Sequence, residues 1–267
     1  MKIRILGAHN RESTASKMFS LLVDDILAID AGSLASSLSF DDQNKLKAIL
    51  LTHSHYDHIR DVPAIALNFF YMTKTIPIYS TQNTRDAISN SFFNGEIYPD
   101  FTRFPEIKPT VQFSTVEPLK KYDIEGFNVI AVPVNHGGAS VGYQVTSLEG
   151  QKVFFVADTG PGLTDCWDHV SPELLFIEVT FPNRLKEIAV NSKHLTPIML
   201  EKELAHFKMA KGYLPEVVVV HMDPELEMEI KSEIEVVSRH LSIPISLAYE
   251  GMELRLNSER MCQSIEC

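Results

Sequence analysis

A chain of 267 residues, 45% hydrophobic and 22% charged, has enough apolar material for one large domain with a buried core. Its 24 Lys and Arg against 35 Asp and Glu leave a net charge of −11. That balance argues against a broad footprint on a nucleic-acid backbone, which needs clustered cations, and is compatible with a small anionic substrate held by metals.

The opening MKIRILGAHN runs directly into an apolar strand with no signal-peptide pattern, and no apolar run approaches the roughly 18 residues of a membrane span, so a cytoplasmic location is expected. KIRIL, FSLLVD, ILAID and KAILLT read as four strands. IRDVPAIALNFFYM has helical spacing, IPIYS is a strand, and TQNTRDAISNSFF is a helix with Thr81 at its cap. NGEIYPDFTRFPEIKPT is Pro-rich and aromatic, an irregular loop over the body. Further on, FNVIAVPV, SVGYQVT, KVFFVAD and ELLFIEVTF are strands. TPIMLEKELAHFKM is an amphipathic helix with Thr196 as cap and Pro197 in its first position. EVVVVHM is a buried strand, PELEMEIKSEIEVVSRH a charged amphipathic helix, and PISLAY and MELRL are the last strands. No linker or low-complexity segment divides the chain, so residues 1–267 are expected to form a single layered α/β domain with two β-sheets and helices outside. Cys166, Cys262 and Cys267 have no framework or CxxC spacing, which points to reduced thiols and leaves metal binding to His and carboxylates.

Four apolar runs end in a metal-ligand residue type: LKAILLT leads to His53, VIAVPVN to His136, VFFVA to Asp158 and VVVV to His221. Strand ends are where layered α/β proteins gather their active groups, because rigid strands fix side-chain positions. His53 and His55, two apart, point to one side of an extended backbone. The adjacent Asp57 and His58 diverge, as a second ion beside the first would require. With His136, His221 and a bridging Asp158, seven ligands serve two divalent ions; mixed imidazole and carboxylate ligation favours zinc, with manganese or iron as alternatives. Asp30, in ILAIDAGS, is expected to orient a ligand loop by hydrogen bonds. His9, His169, His206 and His240 lack any ligand context and read as ordinary surface or hydrogen-bonded residues.

The string HSHYDH, followed by His136, Asp158 and His221, resembles the metallo-β-lactamase superfamily and its HxHxDH signature over essentially the whole chain. The resemblance implies an αβ/βα sandwich with a dinuclear site between two sheets. It implies one ion on His53, His55 and His136, the other on Asp57, His58 and His221, and Asp158 between them. ELLFIEVTFPNRL, SKHLTPIMLEKELAHF and YPDFTRFP are similar to the phosphodiesterase branch, which contains ribonuclease Z and the class II cyclic-nucleotide phosphodiesterases. YPDFTRFP, FPNRL and KHLTP look most like the class II enzymes, which implies hydrolysis of 3′,5′-cyclic nucleotides by water that two cations make nucleophilic. His194 would act at the phosphoryl or leaving oxygen, Glu178 would support it, and Asp57 would be a further catalytic residue. Ribonuclease Z-like RNA cleavage and thioester or lactone hydrolysis are the alternatives within the fold, and a redox or non-catalytic metal module is the alternative outside it. Two features depart from the branch: only a short stretch separates His136 from Asp158, leaving no room for the tRNA-gripping arm of ribonuclease Z, and Tyr56 stands where ribonuclease Z has glycine and class II enzymes commonly have leucine. Tyr56, Asn183, Arg184 and the aromatic loop at Tyr98–Phe104 are candidates for substrate contacts, with Phe101 and Phe104 available to stack on a base, although aromatics in a Pro-rich loop more often pack onto the body or a second subunit. The branch also implies a homodimer.

Overall fold

The computed structural model describes residues 1–256, so Cys262 and Cys267 lie outside the described residues. The first half contains β1 (Lys2–Gly7), β2 (Ser20–Val23), β3 (Leu27–Ile29), α1 (Leu34–Ser37), α2 (Phe40–Gln43), β4 (Ala48–Leu50), α3 (Tyr56–Ile59), α4 (Val62–Tyr71), β5 (Ile76–Ser80), α5 (Gln82–Ser91) and β6 (Val111–Thr115). The second half contains β7 (Lys121–Ile124), β8 (Phe127–Pro133), β9 (Val141–Thr146), β10 (Lys152–Phe155), α6 (Thr164–His169), β11 (Leu174–Glu178), α7 (Lys186–Ser192), α8 (Pro197–Lys211), β12 (Glu216–Val220), α9 (Glu227–Leu241), β13 (Ile245–Leu247) and β14 (Glu253–Arg255).

These strands form two seven-stranded sheets, in the orders β14-β1-β2-β3-β4-β5-β6 and β13-β12-β11-β10-β9-β8-β7. The period-two geometry of a strand explains how they stack. In β11, Leu174 and Phe176 enter the core shared by the two sheets, while Leu175 and Ile177 enter the core beneath the second sheet's helices. β12 divides in the same way, with Val218 and Val220 inside and Val217 and Val219 outside. Leu21 and Leu22 do so for the first sheet. Strands buried on both faces read as unbroken apolar runs, which is why EVVVV and ELLFI show no alternation. The result is helix, sheet, sheet, helix, the αβ/βα sandwich expected above.

The strand directions place the site. β10, β11 and β12 are parallel neighbours, and β8 is antiparallel to β9, which is antiparallel to β10. Four strands therefore end at one edge of the second sheet. β3, β4 and β5 are likewise parallel in the first. Tyr143 is fully buried between the sheets and donates its hydroxyl to the Leu51 carbonyl at 3.0 Å, and the Val141 N–H bonds the Thr52 carbonyl at 3.1 Å. These bonds tie the segment entering HSHYDH to the opposite sheet.

Two edge strands, β6 (VQFST) and β7 (KYDI), were not expected from the sequence; both are short and mostly polar, as befits edges. Thr81 and Thr196 do occupy N-cap positions, but neither side chain caps a backbone N–H: the Thr81 hydroxyl meets that of Thr84 at 3.2 Å. The aromatic loop packs onto the body. Phe101 is only 1% exposed and packs on Phe70 and Phe93 with ring centroids 5.8 and 6.1 Å away, so it is core and not a base-stacking platform. Phe104 is half-exposed and lies against Phe70. Phe101→Ala is expected to destabilise the fold by about 3–5 kcal/mol in chemical denaturation, the usual loss for a truncated core phenylalanine. A shift below about 1 kcal/mol would mean that the loop does not share the core's stability.

Candidate metal centre

The segment leaving β4 carries the first four ligand-type residues. His53 and His55 lie on extended chain, and α3 then turns Asp57 and His58 inward. The loop after β3 packs so closely on α3 that a Cβ on Gly32 would stand 1.9 Å from the Asp57 carbonyl oxygen, which explains glycine there. His136 follows β8, Asp158 follows β10, and His221 follows β12 with a left-handed φ of 60°. Asp30 and Ala157 are left-handed as well, at φ 58° and 67°. Each such non-glycine residue costs roughly 1–3 kcal/mol, and here the sharp turns lie at or beside ligand-type side chains.

All seven residues converge. His53, His55, His136 and Asp158 form one group and Asp57, His58, Asp158 and His221 a second, the donor atoms of each within 4.8 Å of one another. Asp158 belongs to both. Its Oδ2 lies 3.7 Å from His53 Nε2 and 3.8 Å from His136 Nε2. Its Oδ1 lies 3.3 Å from both His58 Nε2 and His221 Nε2. Asp57 Oδ2 is 3.0 Å from His221 Nε2 and 3.5 Å from His58 Nε2.

The donor set fits cations on chemical grounds. His58 Nδ1 is 2.7 Å from Asp30 Oδ2, and His136 Nδ1 is 2.9 Å from the Lys193 carbonyl. Those acceptors cannot donate, so each imidazole donates from Nδ1 and turns Nε2 into the cluster as the nitrogen available to an ion. Buried ring nitrogens and carboxylate oxygens then face one another, with His53 Nε2 and Asp158 Oδ1 lacking any hydrogen-bond partner. Such groups are stable together only around positive charge. The electrostatics agree. Burial alone would raise the Asp158 and Asp57 carboxyls, but the surrounding imidazoles, His221 and His58 among them, hold both below the usual carboxylate range. Burial opposes protonation of His58, yet Asp158, Asp57 and Asp30 push its pKa well up. His53 is driven well down, by burial and by His58.

Asp30 has the orienting role expected of it. Its Oδ1 accepts the Thr52 N–H at 2.8 Å, and its Oδ2 accepts the Thr52 hydroxyl and His58 Nδ1. Beside the second group lies a further cluster of Glu178, His194 and His221. Glu178 is fully buried and its Oε1 accepts His194 Nδ1 at 2.7 Å. Burial favours the neutral His194 ring, but the Glu178 carboxylate outweighs it and pushes the pKa up to about 9.

Not every candidate joins the site. Arg184 pairs with Glu229 at 3.0 Å, while Asn183 accepts the Ile198 N–H and donates its own N–H to Glu233, so both are occupied at the base of α8 and α9. Tyr56 is 59% exposed on α3, next in sequence to His55. His9 is buried and bonded to Glu250 at 2.7 Å, a structural pair in keeping with the expectation for it. Sequence reading missed Thr52, Thr180 and Lys193; a threonine at the end of an apolar strand reads only as a good β-former.

The sequence matches the family described as the beta-lactamase superfamily domain over residues 24–235. It is 34% identical over 101 residues to a ribonuclease Z of Methanocaldococcus jannaschii, a stretch covering 37% of this chain and 30% of that protein. It is 23% identical over 211 residues to a protein of Yersinia pestis named "Probable 3′,5′-cyclic-nucleotide phosphodiesterase", covering 69% of this chain and 59% of that one. The chain thus spans less than two thirds of either relative's length. In fold it is similar to unliganded yeast PDE1, with a TM-score of 0.82, 18% identity and coverage of 96% and 99% of the two chains. No helix among the described residues is long and apolar enough to cross a membrane.

Proposed function

The chain belongs to the beta-lactamase superfamily, and from that premise we propose that it is a metal-dependent phosphodiesterase that opens 3′,5′-cyclic nucleotides to nucleoside 5′-monophosphates. His53, His55, His136 and Asp158 would hold one divalent ion, and Asp57, His58, Asp158 and His221 the other, with zinc the ion best suited to the donor set. When bound, such ions supply Lewis acidity: they acidify water and offset the negative charge of a phosphoryl group.

The observation that carries the reading is the Glu178–His194 pair beside the second group. Phosphodiester cleavage releases an alkoxide, which needs a proton that a thioester's thiolate does not. Glu178 stabilises the protonated imidazole, and Nδ1 is engaged with it, which leaves Nε2 to deliver a proton to the departing 3′ oxygen. Asp30 and the Lys193 carbonyl keep His58 and His136 in the tautomer that presents Nε2.

Ribonuclease Z-like cleavage of RNA is the second reading, favoured by the 34% identical stretch. Against it stand the net charge of −11 and the compact course of the residues between His136 and Asp158, which form β9 and β10 with short connections. A panel on zinc- and manganese-loaded protein separates these readings: cyclic AMP, cyclic GMP, 2′,3′-cyclic nucleotides, a pre-tRNA and a thioester. The expected order puts the 3′,5′-cyclic nucleotides first in kcat/KM. Preference for pre-tRNA would move the assignment to RNA, and turnover of the thioester alone would end the phosphodiesterase reading.

A further inference from the structure

Thr180 stands two residues beyond the buried Glu178 and is itself 1% exposed. Its hydroxyl oxygen has three neighbours within hydrogen-bond distance: Glu178 Oε2 at 2.8 Å, His221 Nδ1 at 3.0 Å and His194 Nδ1 at 3.2 Å. A hydroxyl has one proton and two lone pairs. The carboxylate can only accept, so the Thr180 proton goes to Glu178. What remains on Thr180 is acceptor capacity, and both imidazoles must donate to it.

The consequence falls on His221. With Thr180 able only to accept, His221 must donate from Nδ1, so Nε2, 3.0 and 3.3 Å from Asp57 and Asp158, is the nitrogen left to ligate an ion. We propose that Thr180 is a positioning residue that transmits the negative charge of Glu178 to His221, locking the ligand-competent tautomer of an imidazole that Glu178 is not bonded to. His194 shares the same anchor: its Nδ1–H is divided between Glu178 Oε1 and Thr180 Oγ1. One buried carboxylate thus governs both the proton-delivering histidine and a ligand of the second ion.

The surroundings of Glu178 leave it no other arrangement. Oε1 accepts the Thr159 N–H besides His194, and Oε2 accepts the Thr180 and Leu195 N–H groups besides the hydroxyl. Every neighbour is a donor, so the carboxylate is held in one orientation. The first sheet contains the same device. Asp30 takes the Thr52 hydroxyl proton at 2.8 Å, takes His58 Nδ1–H directly, and leaves Thr52 Oγ1 to accept from His53 Nδ1 at 3.0 Å. Each sheet thus serves two histidines with one carboxylate and one threonine.

The inference rests on the metal reading of the seven-residue site but not on the substrate, and its test uses ion binding, not turnover. In the full-length zinc-loaded protein, Thr180→Val keeps the side-chain shape and removes the hydroxyl, leaving His221 Nδ1–H buried without an acceptor. Chelator competition should show one of two ions weakened by about 10–100-fold, as when a partner that orients a ligand is lost. Thr180→Ser should stay within about threefold of the parent. An unchanged second affinity in Thr180→Val, or equal losses in the valine and serine variants, would overturn the proposal. If Thr180→Val does not fold, the parent protein still decides: long-range ¹H–¹⁵N correlation must show His221 protonated at Nδ1 and bound through Nε2, and ligation through Nδ1 overturns it. Loss of affinity with no cyclic-nucleotide turnover in the parent would leave Thr180's role standing while removing the substrate assignment.

Discussion

Asp57→Ala is expected to abolish nearly all hydrolysis while leaving the fold intact. Asp57 is the one carboxylate special to the second group, since Asp158 is shared, and its Oδ2 approaches both His221 and His58. Without it three donors remain, two of them imidazoles, and the carboxylate charge that attracts a second cation there is halved. A Lewis-acid contribution of several kcal/mol corresponds to a rate loss on the order of 10³-fold. The side chain is partly exposed, at 21%, so its removal opens little core and the melting temperature of the chelated protein should hardly move. Metal analysis should show a lower content than the parent's. Parental turnover at parental metal content would remove Asp57 from the site.

His194→Ala tests the other half of the mechanism and should separate from Asp57→Ala in kind. Its ring is anchored by Glu178 and reaches the second group from the side, so truncation leaves the His221–Thr180 and Asp158 contacts in place. Metal content should stay at the parent's level while kcat falls by about 10²–10⁴-fold, the usual worth of a positioned acid. The deficit should shrink for bis-p-nitrophenyl phosphate, whose leaving group departs without protonation, and stay large for a nucleotide. Metal loss equal to that of Asp57→Ala would make His194 a ligand; an equal deficit on both substrates would deny it the proton.

Much of this site was legible in the sequence because its members stand where apolar runs stop. The strands that lead to His53, Asp158 and His221 are buried on both faces, so their sequences are almost purely apolar and the first polar residues, Thr52 with His53, Asp158 and His221, mark the sheet's edge. His136 follows the less uniformly buried β8 by the same rule. Asp30 could be singled out for the same reason. What could not be read was the network behind the ligands. Thr52 and Thr180 act through a hydroxyl whose direction depends on which groups meet it from distant strands. β6 and β7 were missed because edge strands need little apolar surface. Which aromatic of the Pro-rich loop is buried could not be read either, because it depends on the loop's return onto Phe70 of α4 and Phe93 beyond α5. Arg184, free in sequence, is claimed by Glu229 forty-five residues on.

The chain passes from the first sheet to the second between β6 and β7 and returns for β14, which pairs with β1. Each group of ligand-type residues draws members from both passages: His53 and His55 meet His136 and Asp158, and Asp57 and His58 meet Asp158 and His221. An ion bound there is therefore a crosslink between distant parts of the polypeptide, one whose strength is set by the solution and not by the covalent chain. At a thousandfold excess of free ion over its dissociation constant, each site adds about 4 kcal/mol to the folded state. Resistance to heat and proteolysis should then follow free-cation concentration, making abundance of the folded protein a readout of metal supply.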